Sequence, residues 1–240
     1  MPASPLNSLL TVGVMGGMGP DATIDFMAKV LAATPAESDQ DHVHMLIDHN
    51  PHVPDRTRAI LGEGADPGPV LAEMARQLQQ AGADFVVMPC NTAHAFQSAI
   101  EAALDVPFVS IIDETVAACS GYEAVGLLAT RGCLASGIYD QALSAAGITL
   151  VLPDEVEILE FMRLLTGIKK GNVGEDIGAG MRELAEALAK RGAQAVIAGC
   201  TEIPLVLDQS MLTQPLIAST DILAEATVAY ALGRRQQGSI

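Results

Sequence analysis

The chain has 240 residues, of which 50% are apolar, which is enough for one large domain or two small ones with a proper core. Its formal net charge of −16 and its 3% aromatic content argue against nucleic acid and anionic membrane surfaces as partners, because both are polyanions and base stacking needs aromatic side chains. Since only 13 lysine and arginine residues are present, an anionic substrate would require some of them to be concentrated locally, and a cation in an unusual loop is therefore informative.

The cysteine content and the apolar runs bear on the cellular compartment in which the protein is expected. The four cysteines have no CxxC spacing and are too few for a disulfide scaffold, so we expect a reduced, cytoplasmic protein. No apolar run approaches the ~20 residues of a membrane helix. The first ten residues have neither a basic nor an apolar segment of useful length, so no signal peptide is expected.

Apolar β-type runs alternate with amphipathic helical stretches along most of the chain. The first half predicts strands at 9–15, 42–49 and 84–89, and helices at 20–33, 70–82 and 91–104. The second half predicts strands near 124–129, 149–152, 194–198 and 215–217. Residues 234–240 are expected to form a frayed tail. This βαβα order predicts an α/β fold with mostly parallel sheets flanked by helices.

Three segments of the first half recur in the same order in the second half. "VGVMGGMGPDAT" (12–23) resembles "VGLLATRGCLAS" (125–136), "GADFVVMPCN" (82–91) resembles "GAQAVIAGCT" (192–201), and "PFVSIID" (107–113) resembles "PLIASTD" (215–221). Cys90 follows Gly13, and Cys200 follows Gly126, at nearly the same distance along the chain. The repeat predicts two related α/β lobes of about 100 residues each.

Each predicted lobe places one cysteine at the carboxyl end of a strand, where ligands bind in open α/β sheets. If the lobes face each other across a cleft, Cys90 and Cys200 flank one small molecule from opposite sides. A helix N-terminus behind each sulfur would favour the thiolate. A thiolate can remove a proton from a carbon acid, and a thiol on the opposite face can return one, which inverts a stereocentre without a cofactor.

Packing is the alternative explanation for a lone cysteine, because free cysteine is among the most buried residue types. Cys119 and Cys133 keep that interpretation. Polar residues follow the two repeated cysteines, and they are either helix caps or substrate ligands: Asn91, Thr92, Thr201 and Glu202.

The glycine-rich segment "GGMGPDAT" (16–23) has two interpretations. Gly17, Gly19 and Ala22 match the weak GxGxxA form of a dinucleotide fingerprint. However, Asp39 and Asp41, which lie at a suitable distance, are in a polar loop rather than at the end of a second strand. The favoured alternative is a tight glycine turn whose amides approach a small substrate.

Two further segments carry candidate cations. In "HNPHVPDRTRAI" (49–60), Arg56 is either a bidentate clamp for a carboxylate or a solvated charge paired with Asp55. In "GIKKGNV" (167–173), Lys169 is either a second cation of the site or a surface residue. The histidines lack zinc-ligand spacing, and no lysine stands at a strand end for Schiff-base chemistry, so neither a metal nor a cofactor is expected.

At these residues the sequence resembles the aspartate/glutamate racemase family, and more closely its aspartate racemase branch. The matching pieces are "GVMGGMGPDAT", "NPHVPDRT", "MPCNTAH", "LLAT" and "GCTEIPL", which span most of the chain. The resemblance implies a pseudo-symmetric fold of two lobes with the active site in the cleft, pyridoxal-independent racemisation, and a homodimer. It also implies that the last strand and helix return to the first lobe, so the lobes would be 1–113 plus 217–240, and 114–216.

The resemblance also implies roles for individual residues. Cys90 and Cys200 would be the acid/base pair, and Arg56 with Lys169 would grip the side-chain carboxylate of aspartate or glutamate. The residues implied to hold the α-carboxylate are Asn91, Thr92, Thr130 and Thr201. Met18 and Glu202 are further candidate substrate contacts. The alternatives are an isomerase or racemase of another small dicarboxylate or hydantoin-like acid, and a non-catalytic protein that binds a small anion.

Overall fold

The computed structural model of the chain describes residues 9–234, so the expected tail lies almost entirely outside the described residues. The strands form two four-stranded sheets in which every pairing is parallel. The first sheet contains β1 (Val12–Gly16), β2 (Met45–His49), β3 (Phe85–Val87) and β4 (Phe108–Val109). The second contains β5 (Ala124–Leu128), β6 (Thr149–Val151), β7 (Ala195–Ala198) and β8 (Leu216–Ala218).

Helices connect the strands. Those of the first half are α1 (Pro20–Ala33), α2 (Arg56–Ile60), α3 (Gly68–Gln80), α4 (Gln97–Glu101) and α5 (Ile111–Ala118). Those of the second half are α6 (Arg131–Ser136), α7 (Ile138–Ala145), α8 (Glu155–Lys169), α9 (Glu175–Lys190) and α10 (Ser219–Ala231). The predicted helix 20–33 is confirmed at both ends. Its start at Pro20 is expected, because proline suits the first position of a helix.

The two sheets repeat one topology, with strand orders β2-β1-β3-β4 and β6-β5-β7-β8. The repeated glycines have a common packing reason. A Cβ on Gly13 would lie 3.0 Å from side-chain atoms of Leu78 and Ala83, and a Cβ on Gly126 would lie 2.9 Å from Leu188. Glycine at these positions therefore lets the segments of α3 and α9 pack directly on the central strands.

Two helices cross between the halves of the chain. The helix α5 follows the first sheet but packs against α7, and α10 follows the second sheet but packs against α1. The expectation that the last strand returns to the first lobe is wrong, because Leu216–Ala218 continues the second sheet beside β7. Only a helix crosses back, and the lobe boundaries 1–113 plus 217–240, and 114–216, stay a prediction.

The segment predicted as one helix, 91–104, forms a 3₁₀ turn followed by a short α-helix. Thr92–Phe96 is a 3₁₀ turn, and the α-helix α4 begins only at Gln97. The amide of His94 bonds to the carbonyl of Asn91, while the carbonyl of Cys90 is bonded by the imidazole of His94 instead. The 3₁₀ turn Ile203–Leu205 after Cys200 contains Pro204, which lacks an amide hydrogen. Within residues 9–234, a 3₁₀ turn and not an α-helix follows each of the two cysteines. The helix dipole expected behind each sulfur is therefore not found.

One hydrophobic cluster joins the two halves, with Val12 and Phe85 of the first sheet packed together with Val125 and Ile197 of the second. The outer helices bury a smaller cluster in each half. Within the described part of the chain, no helix is long and apolar enough to cross a bilayer.

Candidate active site

A cavity of about 280 Å³ lies where the carboxyl ends of the two sheets meet. Cys90 follows β3 in the first half and Cys200 follows β7 in the second, and both line this cavity. All the other predicted site residues line it as well: Met18, Arg56, Asn91, Thr92, Thr130, Lys169, Thr201 and Glu202. The structure therefore brings together residues that are far apart in the sequence.

The thiol of Cys200 lies in a cluster of charged groups. Its Sγ donates to Oε2 of Glu202 at 3.0 Å, and Oε1 of the same carboxylate is 3.4 Å from the Nζ of Lys169. Burial and then the Glu202 carboxylate raise the pKa of Cys200 well above its ordinary value, against the opposing effect of Lys169. Cys200 is therefore protonated at neutral pH in this arrangement.

Lys169 places a positive charge at the cavity, next to the Glu202 carboxylate. Burial lowers the pKa of its ammonium, but the neighbouring Glu202 carboxylate outweighs this, so the pKa of Lys169 is raised. The ammonium therefore stays charged at neutral pH, in the cavity that both cysteines line. Lys169 therefore lines the cavity while about half of its side chain stays exposed, and its role in the site stays a prediction.

The loop of Cys90 is held by a buried imidazole. The amide of Ile111 donates to Nε2 of His94 at 3.2 Å, so the Nδ1–H of His94 donates to the carbonyl of Cys90 at 2.9 Å. Burial lowers the pKa of His94 to about 4, so the ring is neutral at pH 7. His94 thus ties the Cys90 loop to the first residue of the crossing helix α5.

Arg56 is the first residue of α2 and contacts main-chain oxygens. Its Nη1 donates to the carbonyls of Val53 and Pro54 at 3.1 and 3.2 Å, and its Nη2 lies 3.5 Å from the carbonyl of Met18. Asp55, the alternative partner of Arg56, caps α2 by accepting from the amide of Arg58, and no ion pair between Arg56 and Asp55 is found among the described residues. The guanidinium is thereby held at the wall of the cavity.

Hydroxyl groups from both halves meet at the cavity. Thr92 and Thr130 share a hydrogen bond of 2.8 Å between their Oγ1 atoms, and Thr130 also caps α6 by accepting from the amide of Cys133. Thr201 donates to Glu202 at 3.4 Å. The side chain of Asn91 makes no capping bond, so capping explains Thr130 but not Asn91.

The glycine segment forms a tight turn between the halves. Gly17 has φ +88°, and a Cβ there would lie 2.4 Å from the backbone of Asn50. A Cβ on Gly19 would lie 3.0 Å from Oε1 of Glu202, so the turn approaches the loop of the second cysteine. Asp39 and Asp41 lie in a 3₁₀ turn before β2, away from its carboxyl end, which argues against the dinucleotide interpretation.

A second cavity, of about 380 Å³, adjoins the first. It shares Arg56, Lys169 and Glu202 with the first cavity and extends to the turn at Gly17 and Gly19. These three charged side chains therefore stand between an inner cavity beside the cysteines and an outer one.

Two residues that contact Asn91 from behind the cavity escaped the sequence analysis. The hydroxyl of Tyr139 donates to Oδ1 of Asn91 at 2.6 Å, and Nδ2 of Asn91 donates to Oγ of Ser219 at 2.9 Å. The repeat carried a signal for one of them, because Ser219 is polar where the first copy has the apolar Ile111. No local pattern distinguishes Tyr139 from an ordinary core aromatic residue.

The fold and the cavity define a class: an α/β protein of two repeated sheets that encloses a small-molecule site with one thiol from each half. Comparison with known proteins agrees. Residues 15–227 match the family model "Asp/Glu/Hydantoin racemase". The chain therefore belongs to the Asp/Glu/hydantoin racemase family and is a racemase of that family.

Individual relatives support this assignment. The chain is 30% identical over 227 residues to the broad specificity amino-acid racemase RacX of Bacillus subtilis, covering 92% of this chain and 98% of RacX. The structure of Picrophilus torridus aspartate racemase superposes with a TM-score of 0.82 at 30% identity, covering 92% of this chain and 94% of that one. A glutamate racemase of Deinococcus radiodurans is 26% identical over 208 residues, which are 83% of this chain and 66% of that protein.

Proposed function

We propose that the protein is a pyridoxal-independent amino-acid racemase that interconverts L- and D-aspartate, with glutamate as the neighbouring substrate, by proton transfer between Cys90 and Cys200. One observation carries the proposal: a thiol from each half of the chain lines the same small cavity. The similarity to the Picrophilus aspartate racemase supports aspartate as the substrate.

The reaction removes the α-proton on one face and delivers a proton on the other. In one direction the Cys90 thiolate takes the α-proton and the Cys200 thiol protonates the opposite face. Cys90 then ends as the thiol and Cys200 as the thiolate, so the pair is set for the reverse reaction. The raised pKa of Cys200 supports it as the proton donor of the resting site.

The carbanion-like state needs donors that are already in place. The threonine hydroxyls of Thr92, Thr130 and Thr201, with the amide of Asn91, would hold the α-carboxylate. The main-chain bonds of Arg56 preorganise its guanidinium, which would bind the side-chain carboxylate together with Lys169. Met18, which is buried beside Arg56, would close this end of the cavity.

A second candidate is a racemase with broader side-chain tolerance. The ammonium of Lys169 already lies beside the Glu202 carboxylate, which leaves less free positive charge for an acidic side chain. The adjoining outer cavity of about 380 Å³ offers room for a longer one. The printed name of the RacX relative, a broad specificity racemase, supports this candidate.

The test incubates the protein with L-aspartate in D₂O and follows D-aspartate by chiral chromatography and α-deuterium by NMR. We expect inversion, with deuterium in the product. L-Glutamate, L-alanine and L-lysine in parallel distinguish the acidic from the broad candidate. Absence of both inversion and exchange for every amino acid refutes the racemase and directs the assay to hydantoins and other dicarboxylates. Thermal stabilisation by aspartate without turnover would indicate a binding protein.

The homodimer and the cytoplasmic location are also our proposals, and both rest on the family resemblance and the reduced cysteines. Sedimentation equilibrium of the full chain tests the dimer.

A further inference from the structure

A buried chain of hydrogen bonds joins the two cysteine loops. Tyr139 donates to Oδ1 of Asn91 at 2.6 Å, Nδ2 of Asn91 donates to Ser219 at 2.9 Å, and Ser219 donates to the carbonyl of Ala198 at 2.8 Å. Asn91 directly follows Cys90, and Ala198 is the last residue of β7, two positions before Cys200. The hydrogen bonds therefore connect the residue that follows Cys90 to the end of the strand that precedes Cys200.

The direction of every bond is consistent. The phenol donates to the amide oxygen, the amide nitrogen donates to the hydroxyl, and the hydroxyl donates to the main chain. The side chains of Tyr139, Asn91 and Ser219 are all buried, at 1%, 2% and 0% exposure. Since an unsatisfied polar group is costly in such a place, each member holds its neighbour in one position.

These hydrogen bonds also involve both halves of the molecule. Tyr139 belongs to α7 of the second half, which packs against the crossing helix α5, and Ser219 is the first residue of the other crossing helix, α10. The Cys90 loop is thus bonded through Asn91 to the second half at two points. The amide keeps one N–H and one oxygen lone pair free, so these bonds leave Asn91 able to contact a substrate.

We propose that Tyr139 and Ser219 are positioning residues that act through Asn91 to set the separation of the Cys90 and Cys200 thiols. The inference rests on the proposed two-thiol racemisation. After the α-proton has been removed, the carbanion-like state is protonated either by the opposite thiol, which inverts it, or by the first thiol, which returns the starting enantiomer. Because proton transfer depends steeply on distance, the separation of the thiols determines the ratio of inversion to return.

The experiment measures that ratio from initial rates with L-aspartate and with D-aspartate in D₂O. Chiral chromatography gives inversion, and NMR of the remaining substrate gives α-deuterium return. We expect Tyr139→Phe and Ser219→Ala each to lower the ratio about tenfold. The double variant should be no worse than the more affected single variant, because both act through one amide. Tyr122→Phe, which removes a phenol from a groove away from the cysteines, should leave the ratio unchanged.

A loss of folded protein does not move this ratio, because unfolded molecules contribute neither to inversion nor to return. An active wild-type enzyme with an unchanged ratio in both single variants overturns the positioning role and leaves the racemase standing. If the wild type shows neither process with any amino acid, the proposed function fails, and labelling by iodoacetamide decides the positioning role. In both variants we expect Cys90 and Cys200 each to be labelled faster than in the wild type, measured relative to the buried Cys119. Unchanged labelling of the two cysteines refutes the positioning role of these hydrogen bonds.

Discussion

The thiol of Cys200 donates a hydrogen bond to the carboxylate of Glu202, with 3.0 Å between Sγ and Oε2. The position two residues after Cys90 is occupied by Thr92 instead, whose hydroxyl bonds to Thr130. The repeat therefore places similar thiols at the two ends of the cavity but gives them different neighbours. The charge of Glu202 favours the protonated form of Cys200, and this difference leads to a first prediction.

Glu202→Gln should lower the pKa of the Cys200 thiol, because the amide keeps a hydrogen-bond acceptor but removes the negative charge. A lower pKa gives more thiolate at a given neutral pH, so the labelling curve of Cys200 should move to lower pH. Carbamidomethylation of Cys200, measured by mass spectrometry against pH, checks this. Glu183→Gln, at an exposed position of α9, is the control. An unchanged labelling profile of Cys200 in Glu202→Gln would contradict the electrostatic role.

Cys90→Ser and Cys200→Ser should each lose racemisation, because a serine hydroxyl is a far weaker acid than a thiol. The expected fall in kcat is about 10²–10⁴-fold, the range for loss of a general acid or base. Cys119→Ser is the matched control, since the Sγ of Cys119 donates to the carbonyl of Thr115 at 3.2 Å and a hydroxyl can do the same. Full activity in either cavity variant would rule out the two-thiol mechanism.

Arg56→Ala should raise the KM for aspartate much more than the KM for alanine, if the guanidinium binds the side-chain carboxylate. Loss of a charge-assisted hydrogen bond of about 1.5–3 kcal/mol corresponds to about a tenfold to hundredfold change. Steady-state kinetics with both amino acids measure the difference, and Arg76→Ala on the exposed face of α3 is the control. Equal effects on aspartate and alanine would favour the broad-specificity candidate.

His94 should make the folded state sensitive to acid. Its pKa is lowered to about 4 by burial, below the ordinary value of 6.5, so the unfolded chain binds a proton more readily. This stabilising contribution is complete above pH 6.5 and is lost as the pH falls towards 4. At pH 5 the loss is about 2 kcal/mol.

Urea unfolding of the wild type and of His94→Gln at pH 7 and pH 5 isolates the contribution of His94, because all other titrating groups are common to both proteins. We expect the wild type to lose about 2 kcal/mol more than the variant over this interval. An equal loss in the two proteins would show that His94 is not buried in its neutral form.

The strands and the repeat could be read from the sequence because both depend on local patterns. Short apolar runs bounded by turn residues gave the central strands to within a few residues, and the repeated Gly13 and Gly126 report close packing that any copy of the lobe needs. The 3₁₀ turn after Cys90 could not be read in this way. It depends on the imidazole of His94, whose second nitrogen accepts from Ile111, a residue of the next helix.

The amino-acid sequence by itself determined the two α/β halves and the equivalent positions of Cys90 and Cys200 in them. Periodicity and repetition are properties of the sequence alone, and both features follow from them. The sequence also led to the cations and hydroxyls that line the cavity, through family motifs. Only the tertiary structure decided that β8 stays in the second sheet, that Glu202 stands between Cys200 and Lys169, and that Tyr139 and Ser219 join the cysteine loops. Most of these contacts join residues that are distant in the sequence, and all of them depend on how the side chains pack. No local sequence pattern therefore encodes them.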